Sequence, residues 1–137
     1  MKILKEAEEI VDKYYSEVNI PEEYSNVYKY RLDHEVKVEE EFSHPDIDDN
    51  SLCEKYEKHI PKGWYGFGIG TPTPRNWWVI VDKVVELCIK NDPDFEIHQI
   101  KMKFGGIRFY CESDVIEDIR EVSILMESKL YNRKLIY

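Results

Sequence analysis

The chain has 137 residues, of which 28 are Asp or Glu and 19 are Lys or Arg, for a formal charge of −9. This length predicts one domain, and a content of 42% apolar and 13% aromatic residues is enough to bury a core and argues against disorder. The acidic balance speaks against direct DNA or RNA binding and against docking on anionic lipid, both of which need clustered Lys and Arg.

The charge is uneven. Residues 1–62 hold 17 acids and 9 bases, whereas residues 63–137 hold 11 and 10. Residues 2–16 read as an amphipathic helix, with Ile3, Leu4, Ala7, Ile10, Val11, Tyr14 and Tyr15 at helical spacing. The same stretch carries Glu6, Glu8 and Glu9, which interrupt any signal-peptide core, and no apolar run approaches the ~20 residues of a membrane span. Residues 22–32 are read as a helix and 35–41 as a short strand, although both stretches fit either pattern. Residues 42–51 have turn chemistry. A short helix over 51–60 is expected, capped by Ser51, and residues 61–76, which hold four of the six glycines, are expected to be loop or irregular strand.

The clearest helix covers about 74–91. Thr73 is placed to cap it, Pro74 suits its first position, and Trp77, Trp78, Val81, Val84, Val85 and Cys88 cover one broad face. Asn91-Asp92-Pro93 stops it. Then come strand 95–104, a Gly105-Gly106 turn and strand 107–111. A last helix over 114–129 is expected to be capped by Ser113, with Ile116, Ile119, Val122, Ser123, Met126 and Leu130 inward, and residues 131–137 form an apolar tail. The fold class is therefore α+β: an antiparallel sheet built on the 95–111 β-hairpin and packed by three to four helices.

A Gly-Gly loop implies a register in which Lys103 faces Arg108 and Lys101 faces Tyr110. One face of the hairpin is then apolar: Ile100, Met102, Phe104, Ile107, Phe109 and Cys111, with His98 on the same side. The other face carries Gln99, Lys101, Lys103, Arg108 and Tyr110. Three close cations in an acidic chain, two of them directly opposed, call for compensation. Either the face is simply solvated, or acids from residues 33–57, which hold ten Asp/Glu, pair with it, or it receives an anion. Arg75 at a helix start and the aromatic pair Trp64 and Tyr65 are further ligand-binding candidates, set against a reading of the aromatic block as core.

Other chemistry has little support in the sequence. His34, His44, His59 and His98 show no metal-ligand spacing, Cys53, Cys88 and Cys111 stand far apart, and no nucleophile elbow occurs, so no catalytic residue, metal or cofactor is assigned. Asp46, Asp48, Asp49 and Asn50 lack the glycine and glutamate of a calcium loop, and GFGIGTPTP matches neither GxxxxGK(S/T) nor a strand-borne GxGxxG, so any contribution of its backbone N–H groups to an anion site is a weak signal. Sparse, unpaired cysteines fit a reducing cytoplasm.

The segment GWYGF, the aromatic-led helix NWWVIVDKVVELC and the strand-turn-strand HQIKMKFGGIRFY together resemble a group of small uncharacterised bacterial and phage proteins, in which the last element runs close to QxKEKFGGLRFY. The resemblance covers about residues 63–111. It matches at Gly63, Trp64, Tyr65, Gln99, Lys101, Lys103, Phe104, Gly105, Gly106, Arg108, Phe109 and Tyr110, and departs at Met102, which replaces a Glu. Many of those proteins also end in a Cys-x-x-Cys segment that this chain lacks, so no metal role carries over. The resemblance implies a phage or prophage setting and no activity.

The expected function is that of a small phage-type accessory protein acting by binding. Its ligand is either a host defence protein, which it would antagonise, or a phosphate-bearing signalling nucleotide, which it would sequester. An enzyme acting on a nucleotide or other phosphate and a structural or assembly component are the alternatives, and homo-oligomerisation is left open.

Overall fold

A computed structural model of the chain describes residues 2–15, 47–68, 75–103 and 105–131. The sequence readings for 22–32, 35–41, residues 42–46 and the tail beyond Tyr131, and the capping roles of Thr73 and Pro74, lie outside these residues. The described elements are helix α1 (Lys2–Tyr14), helix α2 (Asp49–Lys55), a 3-10 turn (Glu57–His59), strand β1 (Gly66–Phe67), helix α3 (Arg75–Asn91), strand β2 (Glu96–Lys103), strand β3 (Gly106–Glu112) and helix α4 (Ile119–Lys129). The α+β class holds.

The sheet departs from the expectation in one respect: it is mixed, with order β1-β2-β3. β2 and β3 form the antiparallel hairpin, while β1 runs parallel to β2, with Gly66 beside Gln99 and Phe67 beside Ile100. Parallel neighbours need a crossover, and α3 supplies it. The loop of 61–76 therefore contains a short edge strand, whose two residues are too few to leave a periodic signal.

The core lies on the apolar side of this sheet. Trp77, Ile80, Val81, Val84, Val85 and Cys88 of α3 are fully buried, and they share one cluster with Phe67, Ile97, Ile100, Met102, Ile107 and Phe109 of the strands. Ile3, Ala7 and Val11 of α1 and Val122, Met126 and Leu130 at α4 complete it. Fully burying side chains of this size is worth roughly 1.5–3 kcal/mol each, so this cluster is the main source of stability.

Two expected helix starts are corrected. Helix α2 begins at Asp49, with Asp48 as its cap: the Ser51 amide donates to Asp48 Oδ1 (2.7 Å), and the Asp48 amide donates to Ser51 Oγ (2.9 Å). Ser51 is thus the inner partner of a reciprocal capping box rather than the cap. At the other end of the chain, Ser113 does not start α4. Its Oγ accepts the amides of Val115 (3.2 Å) and Ile116 (2.9 Å) and donates to Asp92 Oδ2 (2.5 Å). Ser113 organises a turn after β3, and α4 begins six residues later.

The connection from β1 to α2 uses a thiol. Cys53 Sγ accepts the Phe67 amide (3.3 Å) and lies 3.5 Å from the Phe67 carbonyl, so it covers the outer edge of β1. Helix α2 is tied to α3 by Lys55, which pairs with Asp82 (2.9 Å) and Glu86 (2.6 Å), and by the Tyr56 hydroxyl, which donates to Asp82 Oδ1. At the opposite edge, the Ile107 amide donates to the Leu130 carbonyl (2.9 Å), and Gly106 bridges to Tyr131, so the end of α4 closes the start of β3.

Candidate functional site

The hairpin register differs from the sequence expectation. Lys103 faces Gly106, Met102 faces Ile107, Lys101 faces Arg108, Ile100 faces Phe109 and Gln99 faces Tyr110. Gly106 is therefore a strand residue, and Gly105, at φ +80°, stands in the connection; Phe104 lies outside the described residues. Because the slip moves every pairing by a whole pleat, the division into faces survives. Met102, Ile100, Ile107 and Phe109 remain inward, while Gln99, Lys101, Arg108 and Tyr110 remain outward. The like-charge pair is Lys101 with Arg108, not Lys103 with Arg108.

A bulge alters the outer face near its start. Ile97 faces Cys111 and Gln99 faces Tyr110, so β2 spends one extra residue, His98, on this step. Ile97 and Ile100 are consequently both buried although three apart, and His98 is placed beside Gln99 rather than in the core. This corrects the expectation that His98 shares the core face. Its ring instead stacks on Trp64, with centroids 4.3 Å apart and planes within 3°. The Tyr65 amide donates to the His98 carbonyl (3.2 Å), which holds the segment before β1 against the bulge.

Between this outer face and α4 lies an open groove of about 710 Å³. Its sheet side is formed by Trp64, His98, Gln99, Tyr110 and Glu112 and reaches Phe109 and Cys111 of the inner face, and its helix side is formed by Ile119, Arg120, Ser123, Ile124 and Glu127. Trp64 and Tyr110 are each 49% exposed. The next rung along the same outer face is the half-buried pair Lys101 and Arg108, followed by exposed Lys103. The groove thus has carboxylates and a histidine at one end and approaches two opposed cations at the other.

The expected site residues are distributed unevenly. Trp64, Gln99 and Tyr110 meet in the groove. Lys101, Lys103 and Arg108 extend the same face beyond it. Tyr65 is 61% exposed and is not part of the groove lining, and Arg75 is the first residue of α3, with its side chain outside the described ones. The aromatic block divides: Phe67, Trp77 and Trp78 are core, whereas Trp64 and Tyr65 are not. The ion pairs Lys55–Asp82, Lys55–Glu86 and His98–Glu96 leave Lys101 and Arg108 uncompensated among the described residues. Of the acidic stretch 33–57, only residues 47–57 are described, and none of their acids reaches this pair.

Sequence reasoning missed Arg120, which enters the groove from α4, and the set Glu96, His98 and Glu112. Donor atoms of these three residues all lie within 4.8 Å of one another, and His98 Nε2 is 3.2 Å from Glu96 Oε1. Glu96 directly faces Glu112 across the hairpin. The available signal was the Glu-x-His spacing on one strand; its partner on the next strand becomes visible only once the register is known.

The Cys88 and Cys111 thiols are poorly suited to nucleophilic work. Burial pushes the Cys88 thiol up to about 12, with the Asp118 and Asp92 carboxylates adding to the effect, and burial likewise raises Cys111. No described helix is long and apolar enough to cross a membrane. No protein-family model, curated protein or solved structure matches the chain, so the functional reading rests on the geometry.

Proposed function

We propose that the chain acts by binding, with the groove between α4 and the outer face of the hairpin as the seat of a small anionic ligand that carries a planar ring, such as a phosphate-bearing signalling nucleotide. The observation that carries this reading is the continuity of one face: two exposed aromatic rings, Trp64 and Tyr110, then an opposed Lys101–Arg108 pair with no acid on it among the described residues. A ring would stack on the aromatic side chains, with Gln99 as a neutral hydrogen-bonding group. The phosphate would lie toward Lys101 and Arg108, relieving their mutual repulsion. The groove volume falls within the usual range for small-molecule sites.

Sequestration of a host signalling nucleotide suits a phage-type accessory protein, the setting suggested by the hairpin motif. The acid excess of residues 1–62 favours a second reading, a basic protein surface as partner, since complementary charge speeds encounter.

Native mass spectrometry of protein purified from its host separates the two. A small added mass is expected on the wild type and is expected to be lost in the Lys101→Glu, Arg108→Glu double variant. A bound protein that survives this reversal would instead establish the second reading. A ligand released chemically altered would replace sequestration by catalysis.

A further inference from the structure

The groove ends in a cluster that the proposed ligand does not use. Glu96 and Glu112 are placed side by side by the hairpin register, a like-charge rung that is destabilising when uncompensated. The bulge turns His98 out of the core toward the same point, with its Nε2 3.2 Å from Glu96 Oε1 and the three donor atoms within 4.8 Å of one another. The imidazole is held in place: its side chain is 12% exposed, and Trp64 stacks flat against it. Glu96, by contrast, is half exposed and Glu112 is exposed, so both carboxylates are able to adjust. Next to this set lies a cavity of about 150 Å³ lined by Asp92, Asp94, Glu96, Glu112, Ser113, Asp114 and Val115, with no Lys or Arg among its lining residues. The carboxylates of this cavity favour a cation, with Arg120 on the groove side of His98 and Glu112 as the opposing charge.

We propose that Glu96, His98 and Glu112 form a binding site for a divalent transition-metal ion of the zinc type, at the end of the groove. One fixed imidazole nitrogen and two adjustable carboxylates make a borderline donor set. Zinc accepts histidine at about 2.0–2.1 Å and carboxylate at about 2.0–2.2 Å, so tetrahedral neighbours stand about 3.3 Å apart, a separation that the His98–Glu96 pair already meets. Modest torsions of the two glutamates suffice to close the set. Calcium and magnesium prefer all-oxygen sites, so the histidine sets the preference. With three protein ligands, the ion keeps a coordination position for water or a groove ligand. The inference does not depend on the identity of that ligand and is tested with metal alone.

Chelator-treated full chain is titrated with zinc chloride by calorimetry, alongside His98→Gln and Glu112→Gln. One zinc per chain is expected in the wild type, with affinity reduced about tenfold or more in each variant, and calcium chloride is expected to compete poorly. In parallel, nickel is expected to quench the Trp64 emission of the wild type and not that of His98→Gln. Absence of zinc uptake would overturn the proposal. So would uptake unchanged in both variants, which would move the ion to the cysteines or other histidines, or equal competition by calcium, which would reduce the cluster to a diffuse acidic patch. Glu112 is exposed, so Glu112→Gln is expected to fold even if the more enclosed His98 variant does not.

Discussion

Lys101 and Arg108 stand opposite each other on the outer face of the hairpin, and this arrangement sets stability against binding at single positions. Lys101→Glu converts a repulsive rung into an attractive one and is expected to stabilise the fold by up to about 1 kcal/mol in urea denaturation. The same change is expected to remove anion binding. A variant that is both more stable and still loaded would sink the assignment of this rung to the ligand. Gly105 and Gly106 also differ in role, although nothing in the dipeptide distinguishes them. Gly105 has φ +80°, so Gly105→Ala is expected to cost about 1–2 kcal/mol. Gly106 has no such backbone demand; a Cβ there meets the Tyr131 ring at 3.1 Å, and the exposed ring has room to yield. Gly106→Ala is therefore expected to cost less than Gly105→Ala, and equal losses in the same urea experiment would argue for the other register.

Among the elements, α2 is the one whose attachment depends most on polar contacts. Lys55 is half exposed, so its pairs with Asp82 and Glu86 are worth little on their own, and Lys55→Ala is expected to cost less than about 1 kcal/mol. Tyr56 is buried, and its hydroxyl reaches the largely enclosed Asp82 carboxylate, so Tyr56→Phe leaves that carboxylate short of a donor. A loss of about 1.5–3 kcal/mol is expected from a hydrogen bond to a charged group, and thermal melts of the two variants should rank in this order. The turn before α4 offers a second case. Ser113→Ala removes the acceptor for two amides and the donor to buried Asp92. It is expected to destabilise by about 1–3 kcal/mol, although Ser113 lies outside the helix that the sequence pattern assigns it to. Helices α1 and α3 were legible because long stretches of 3.6-residue periodicity average over local competition. The starts of α2 and α4 were not, since Asp48, Ser51 and Ser113 are all good cap residues and the choice among them is made by which backbone amides tertiary packing presents.

For the whole molecule, the upward-shifted groups make alkaline pH the vulnerable side, opposed among the described residues only by Tyr14, which its hydrogen bond with Lys13 shifts down. Burial raises Cys88 to about 12 from an ordinary 9.0 and also raises Cys111 and, with Asp82, Tyr56. Partial burial works against charge on Lys55, but Glu86 and Asp82 raise it on balance. Each folded pKa lies above its unfolded value, so the associated stability is complete below the unfolded value and is lost as pH rises toward the folded one. Melting temperature is expected to be nearly flat to about pH 8 and to fall above it, and Cys88→Ala should lessen the fall without abolishing it. The amino-acid sequence by itself determined the α+β class, the amphipathic helices, the hairpin and the separation of its apolar and basic faces, because these follow from short-range periodicity in which every residue votes the same way. The tertiary structure alone decided the hairpin register, the parallel edge strand, the bulge that turns His98 outward, and the meeting of Trp64, Tyr110 and Arg120 in one groove. Each of these joins residues distant along the chain, and their contacts are set by how α3 and α4 pack on the sheet rather than by any local pattern.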